Sequence, residues 1–130
     1  MEYRINGAFD VTITPVGTAF EEAQLGRMSI DKRFHGPLAA ASKGEMLAAR
    51  SPVDGSAGYV AMERVTGRLD GRDGSFVLQH SGHMNRGAKS LSVTVVADSG
   101  TGELVGLAGS MDIVITDGKH FYDFTYTLPG

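Results

Sequence analysis

The chain has 130 residues, enough for one hydrophobic core and too few for two. With 42% hydrophobic and 21% charged residues it has the composition of a folded globular protein. Its net charge is −3, from 12 Lys and Arg against 15 Asp and Glu with no basic run, which leaves no electrostatic footprint for nucleic acid, and the absence of cysteine excludes disulfide scaffolds, thiolate metal sites and cysteine nucleophiles.

Short runs of period-2 alternation, separated by Gly, Asp, Asn and Ser clusters, dominate the chain and predict strands. The first holds Ile5, Gly7, Phe9, Val11 and Ile13 and is expected to stop at Pro15-Val16-Gly17. Residues 16–26 are polar and aperiodic and read as a loop, with one helical turn available over Glu21–Leu25. Met28, Ile30, Lys32 and Phe34 mark the second strand, ended by His35-Gly36-Pro37. The third covers about Ala41 to Ala49, before the turn chemistry of Ser51-Pro52-Val53-Asp54-Gly55. The fourth runs from Ala57 to about Thr66, the fifth from Ser75 to His83, the sixth from Ser90 to Ala97 and the seventh from Ser110 to Thr116. Asp117-Gly118 is a hairpin signal, and the eighth strand, His120 to Leu128, is rich in β-formers. A second helical turn is available over Glu103–Leu107. Eight short-linked strands in so small a chain predict an all-β, antiparallel domain over residues 1–130, closed into a barrel to remove its edges, with a two-sheet sandwich as the alternative.

The chain holds 18 glycines, about twice the usual share of roughly 7%, and they have no three-residue period, which excludes collagen. Six of them belong to an internal repeat, T-G-x-L-x-G-x-x-G-S-apolar, at 66–76 and again at 101–111. Its spacing matches neither phosphate-binding glycine motif and no long helix follows, so a structural role is expected. No stretch approaches 18 consecutive apolar residues, and Met1-Glu2-Tyr3-Arg4 enters the alternation without a secretory core. A soluble cytoplasmic protein, with no membrane or nucleic-acid partner, is the resulting expectation.

The same residues carry a resemblance. Met62-Glu63-Arg64-Val65-Thr66-Gly67, then Gly71-Arg72-x-Gly74-Ser75-Phe76-x-Leu78-Gln79-His80-x-Gly82, then Gly100-Thr101-Gly102-Glu103-Leu104-x-Gly106-Leu107-x-Gly109, together with Lys32-x-Phe34-x-Gly36, resemble the bacterial family called domain of unknown function 3224. The resemblance implies an eight-stranded antiparallel barrel with a central cavity, similar to that of plant allene oxide cyclase. The family has no established activity, so no catalytic residue is implied.

In such a barrel alternate residues face inward. On the eighth strand the aromatic face, His120, Tyr122, Phe124 and Tyr126, is the better interior. Phe76, Leu78, His80 and Gly82 match it on the fifth strand, and Met111, Ile113 and Ile115 on the seventh. The fourth strand is open: either Tyr59, Ala61, Glu63 and Val65 face in, or Val60, Met62, Arg64 and Thr66 do, because a one-residue slip exchanges the faces. The interior is then apolar with a few polar groups, the make-up of a small-molecule pocket. Lys32, Tyr59, Phe76, Leu78, Tyr122 and Tyr126 are the expected ligand-binding residues, for a small apolar or amphipathic molecule. Glu63 and His80 are the candidate acid–base pair if the protein is a cofactor-independent isomerase or cyclase. Ion pairing at the rim is the bland alternative for Glu63 or Arg64. No metal site is expected, since His80 and His83, three apart, point to opposite faces of a strand. Outward Val60, Met62 and Val77 keep open a third reading, a filled barrel whose outer face forms a homo-oligomer.

Overall fold

A computed structural model describes residues 1–129. Eight antiparallel strands follow one another around a closed barrel in chain order: β1 (Glu2–Val16), β2 (Gly26–Phe34), β3 (Leu38–Arg50), β4 (Ala57–Leu69), β5 (Arg72–Asn85), β6 (Ala88–Val95), β7 (Ala108–Thr116) and β8 (Lys119–Thr127). Closure is made by β1 against β8, with Tyr3 opposite Tyr126 and Phe9 opposite His120. The two helical turns are single 3-10 turns, Glu21–Ala23 and Gly102–Leu104.

Strands β3, β4 and β5 each extend three residues beyond the alternating pattern, all at the same end of the barrel. Ala, Gly and Asp blur the alternation there, but the register carries on, pairing Leu38 with Leu69, Gly67 with Gly74 and Leu69 with Arg72. Strand β1 continues through Pro15, where the sequence predicts a stop. Its pairing to β8 ends at Phe9, so beyond that point β2 is its one neighbour and an amide is free to be missing. Strand β6 ends at Val95, short of the expected Ala97: Val96 still donates in register to the Val77 carbonyl at 2.9 Å, but its own carbonyl accepts the Ser99 amide at 3.1 Å in a turn, and the Val77 amide donates to Ser99 Oγ instead.

The two ends of the barrel differ. Residues 35–37, 70–71 and 96–107 connect strands at one end, and 17–25, 51–56, 86–87 and 117–118 connect them at the other. The first end is filled. Phe34, Leu38, Leu69, Phe76, Phe124 and Tyr126 are all buried there, and Leu104 and Leu107 from the long β6–β7 connection plug the opening. Aromatic rings run through this half in contact: Phe76 stacks on Phe124 at 5.9 Å, Phe124 on Tyr126 at 5.4 Å, and Tyr126 on Tyr3 at 5.2 Å. Tyr126 donates its hydroxyl to Asp70, and Tyr122 donates to the His35 carbonyl at 2.7 Å, so each buried phenol has a partner.

The glycine repeat sits at this filled end, and its two copies dock on one another. The first spans the β4–β5 hairpin and the second the 3-10 turn before β7, so one pattern builds two different local shapes. Thr101 donates its amide to the Ser75 carbonyl at 2.8 Å, the Ser75 amide donates to Thr101 Oγ1 at 3.0 Å, and Glu103 accepts the Asp73 amide at 3.0 Å. Any side chain at Gly74 would run into the Thr101 carbonyl, which accounts for the glycine on that strand.

Candidate functional site

A layer of polar side chains divides the filled half from the open one. Lys32 on β2, Ser42 on β3, Glu63 on β4 and His80 on β5 are all buried and face the barrel axis. The fourth strand is thereby settled: Glu63 points in with Tyr59, Ala61 and Val65, while Val60 and Met62 are exposed on the outer surface. Glu63 Oε2 accepts from Lys32 Nζ at 2.7 Å and lies 2.6 Å from His80 Nε2, and Oε1 accepts from Ser42 Oγ at 2.9 Å. Burial pushes the Glu63 carboxyl up, but the His80 hydrogen bond and the Lys32 charge outweigh it and hold the group down at about 2. Glu63 is therefore an ionised, fully engaged acceptor rather than a proton donor at neutral pH. The Lys32 ammonium also lies 5.0 Å from the centre of the Phe9 ring and 5.7 Å from that of Phe34, which adds cation–π attraction to the ion pair.

Beyond this layer the barrel is hollow. One lobe, of about 270 Å³, has Lys32 and His80 at its inner end and Phe9, Val11, Ile30 and Ile113 among its walls. A second, of about 320 Å³, runs toward the β5–β6 side and is walled by Ala48, Gly82, Met84 and Leu91. Met46 and Tyr59 line both lobes. Tyr59 lies across the space where Gly82 would carry a side chain, so the glycine is what lets this ring cross toward β5. Burial, then the nearby Glu63 charge, raise the Tyr59 phenol above its ordinary value, so it stays a neutral hydroxyl at the wall.

Two features open this half. Strands β6 and β7 share a single pair, Thr94 with Ser110, at the filled end, and none along the open half. Inward-register side chains near the mouth, such as Ile115 and Leu91, are 64% and 42% exposed rather than packed. Ile115, expected in the interior from its phase, thus faces the mouth without being buried, because no strand or connection covers it.

The sequence-predicted site residues separate along the barrel axis. Lys32 and Tyr59 line the hollow half, and His80 joins Glu63 at its floor. Phe76, Leu78, Tyr122 and Tyr126 lie in the filled half, each almost wholly buried and away from either lobe. Ser42, Ile30, Met46 and His120 belong to the floor or wall without having been singled out as site residues. Their signal was available in part: Ile30 and Lys32 share a phase on β2, whereas the pairing of Ser42 with Lys32 comes from the strand register. Among the described residues, no group of three or more His, Asp or Glu side chains is placed to hold a metal ion, and no helix is long and apolar enough to cross a membrane.

Comparison with known proteins covers nearly the whole chain. The model for a family described as "Protein of unknown function (DUF3224)" matches residues 5–126. A crystal structure of a DUF3224-family protein of unknown function from Shewanella oneidensis MR-1 superposes with a TM-score of 0.94 at 49% identity, covering 100% of this chain and 99% of that one. No curated protein matches the chain. With the family model matched over residues 5–126 and a family structure superposing over the whole chain, this chain belongs to the DUF3224 family.

Proposed function

We propose that this protein binds a small amphipathic molecule in the open half of its barrel. The observation that carries this reading is the hollow itself, walled by aliphatic and aromatic side chains and closed at its inner end by Lys32 and His80. Apolar walls supply affinity in proportion to the area they remove from water, and the two polar groups orient the ligand. The filled half serves as a rigid base that holds the polar layer in place. Thermal melts with straight-chain alcohols, acids and amines of six to ten carbons test it. A ligand at about a hundred times its Kd raises stability by roughly 2.7 kcal/mol, a plainly readable shift. Unchanged melting across the whole panel would sink the proposal.

A second reading has one specific support. His80 uses Nε2 toward Glu63, and its ring borders the cavity, so Glu63 can orient the imidazole and balance a proton taken up on its far nitrogen. Lys32 stands beside the same carboxylate oxygen and could stabilise an enolate. That is the equipment of a cofactor-independent isomerase working next to a carbonyl. Exchange of the α-protons of 2-heptanone in D2O, followed by NMR, is expected to run faster with the wild type than with His80→Gln. Equal rates remove this reading and leave simple binding untouched.

A further inference from the structure

Resting on the binding reading above, the charge pattern of the cavity narrows the ligand class. The chain carries 15 carboxylate side chains and a net charge of −3, so an average surface region is acidic. The hollow half is the reverse. Its two lobes are lined by the inward-phase Lys32, Lys89, His80 and His120, and by no Asp or Glu. The nearest carboxylate, Glu63, stands behind the floor with both oxygens already engaged by Lys32, Ser42 and His80. Lys32 gives one of its three N–H donors to Glu63, and two remain for a ligand at the cavity's inner end.

We propose that the open half takes a medium-chain carboxylate, with its anionic head on the free donors of Lys32, beside the His80 ring, and its alkyl tail along Ile30, Ile113 and Met46 toward the mouth. A donor-only ammonium at the end of an apolar tunnel favours a head that accepts and carries negative charge. Charge-assisted hydrogen bonds are about twice as strong as neutral ones, and the low dielectric of the walls strengthens them further. A cationic head would meet Lys32 with no free carboxylate to receive it. A hydroxyl head would accept from the same ammonium but bring no charge of its own to pair with it.

Isothermal titration of the full-length protein with octanoate, 1-octanol and octyltrimethylammonium separates these cases at one chain length. Octanoate is expected to bind at least about tenfold tighter than octanol, because its head pairs a charge with the Lys32 ammonium where the hydroxyl has none, and octyltrimethylammonium weakest of the three. Octanol or the ammonium binding as tightly as octanoate overturns the inference and leaves the amphiphile-binding reading in place. Binding by none of the three overturns both. The place of the head is read from two variants. Lys32→Met is expected to bring octanoate and octanol within about threefold of each other, and Lys89→Met to leave the preference whole. The opposite pattern puts the head at the rim and overturns the assignment to the floor. Should Lys32→Met not fold, transfer of magnetisation from carboxyl-labelled octanoate to the His80 ring in the wild type decides the same point: contact supports the floor, and contact confined to the Lys89 side chain overturns it.

Discussion

The filled and hollow halves of this barrel are made by the same eight strands with the same alternation, yet one packs shut and the other stays open. In the filled half the inward positions carry Phe34, Phe76, Phe124 and Tyr126, and a long connection folds Leu104 and Leu107 into the end. In the hollow half they carry Val11, Ala48, Ala57, Gly82 and Ile113, and the connections there are hairpins that insert nothing. A barrel of eight strands is just wide enough for large side chains to fill. Smaller inward side chains and an unplugged end leave a cavity by simple lack of volume. The lesson is one of division: one half supplies stability and the other supplies space, and the polar layer of Lys32, Ser42, Glu63 and His80 is the boundary.

Substitutions across that boundary test the division. The largest loss is expected from Glu63→Ala, which strands a buried ammonium and costs about 3–5 kcal/mol in urea unfolding. The double variant Lys32→Met with Glu63→Met is expected to recover most of that loss, because removing both charges also removes the desolvation they cost. A double variant no better than Glu63→Ala would show that the layer holds the barrel together through more than charge balance. Phe124→Ala, in the middle of the aromatic stack, is expected to lose about 3–5 kcal/mol by the same measurement. A loss under about 1 kcal/mol would mean that the filled half is not the source of stability.

Acid comes next in size. The Glu63 carboxyl is held at about 2 against an ordinary 4.5. Its stabilisation is therefore complete above about pH 4.5 and is lost as the pH falls toward 2, on the order of 3 kcal/mol in all. The double Met variant should show a correspondingly shallower fall over that window, and an equally steep one would place the acid sensitivity elsewhere. The smallest effect belongs to the mouth. Ile115→Ala is expected to cost less than about 0.5 kcal/mol of stability, because the side chain is 64% exposed, while weakening alkyl-chain binding severalfold. A large stability loss there would erase the contrast between the halves.

Much of the fold was legible in the alternation. Tyr122, Phe124 and Tyr126 share a phase with one another, and all three are inside. Phe76, Leu78 and His80 behave in the same way on β5. The candidate site was less legible. Glu63 and Arg64 are adjacent on a strand with apolar residues on both faces, and Val60 and Met62 are as apolar as Ala61 and Val65, so pattern alone leaves the two phases equal. The separation of Lys32 and Tyr59 from Phe76, Leu78, Tyr122 and Tyr126 had no sequence signal, since every one of them occupies an inward phase and differs only in depth along the barrel.

By itself the sequence determined that this chain makes short antiparallel strands joined by glycine-rich turns, and which residues share a strand face, because both follow from local φ/ψ preferences and a period of two. The tertiary structure alone decided that Glu63 turns inward, that residues 17 and 31 positions away from it, His80 and Lys32, meet on one of its oxygens, and that one end of the barrel is plugged while the other is not. Those outcomes depend on the register of closure and on where a long connection folds back, and both are long-range properties that no window of neighbouring residues contains.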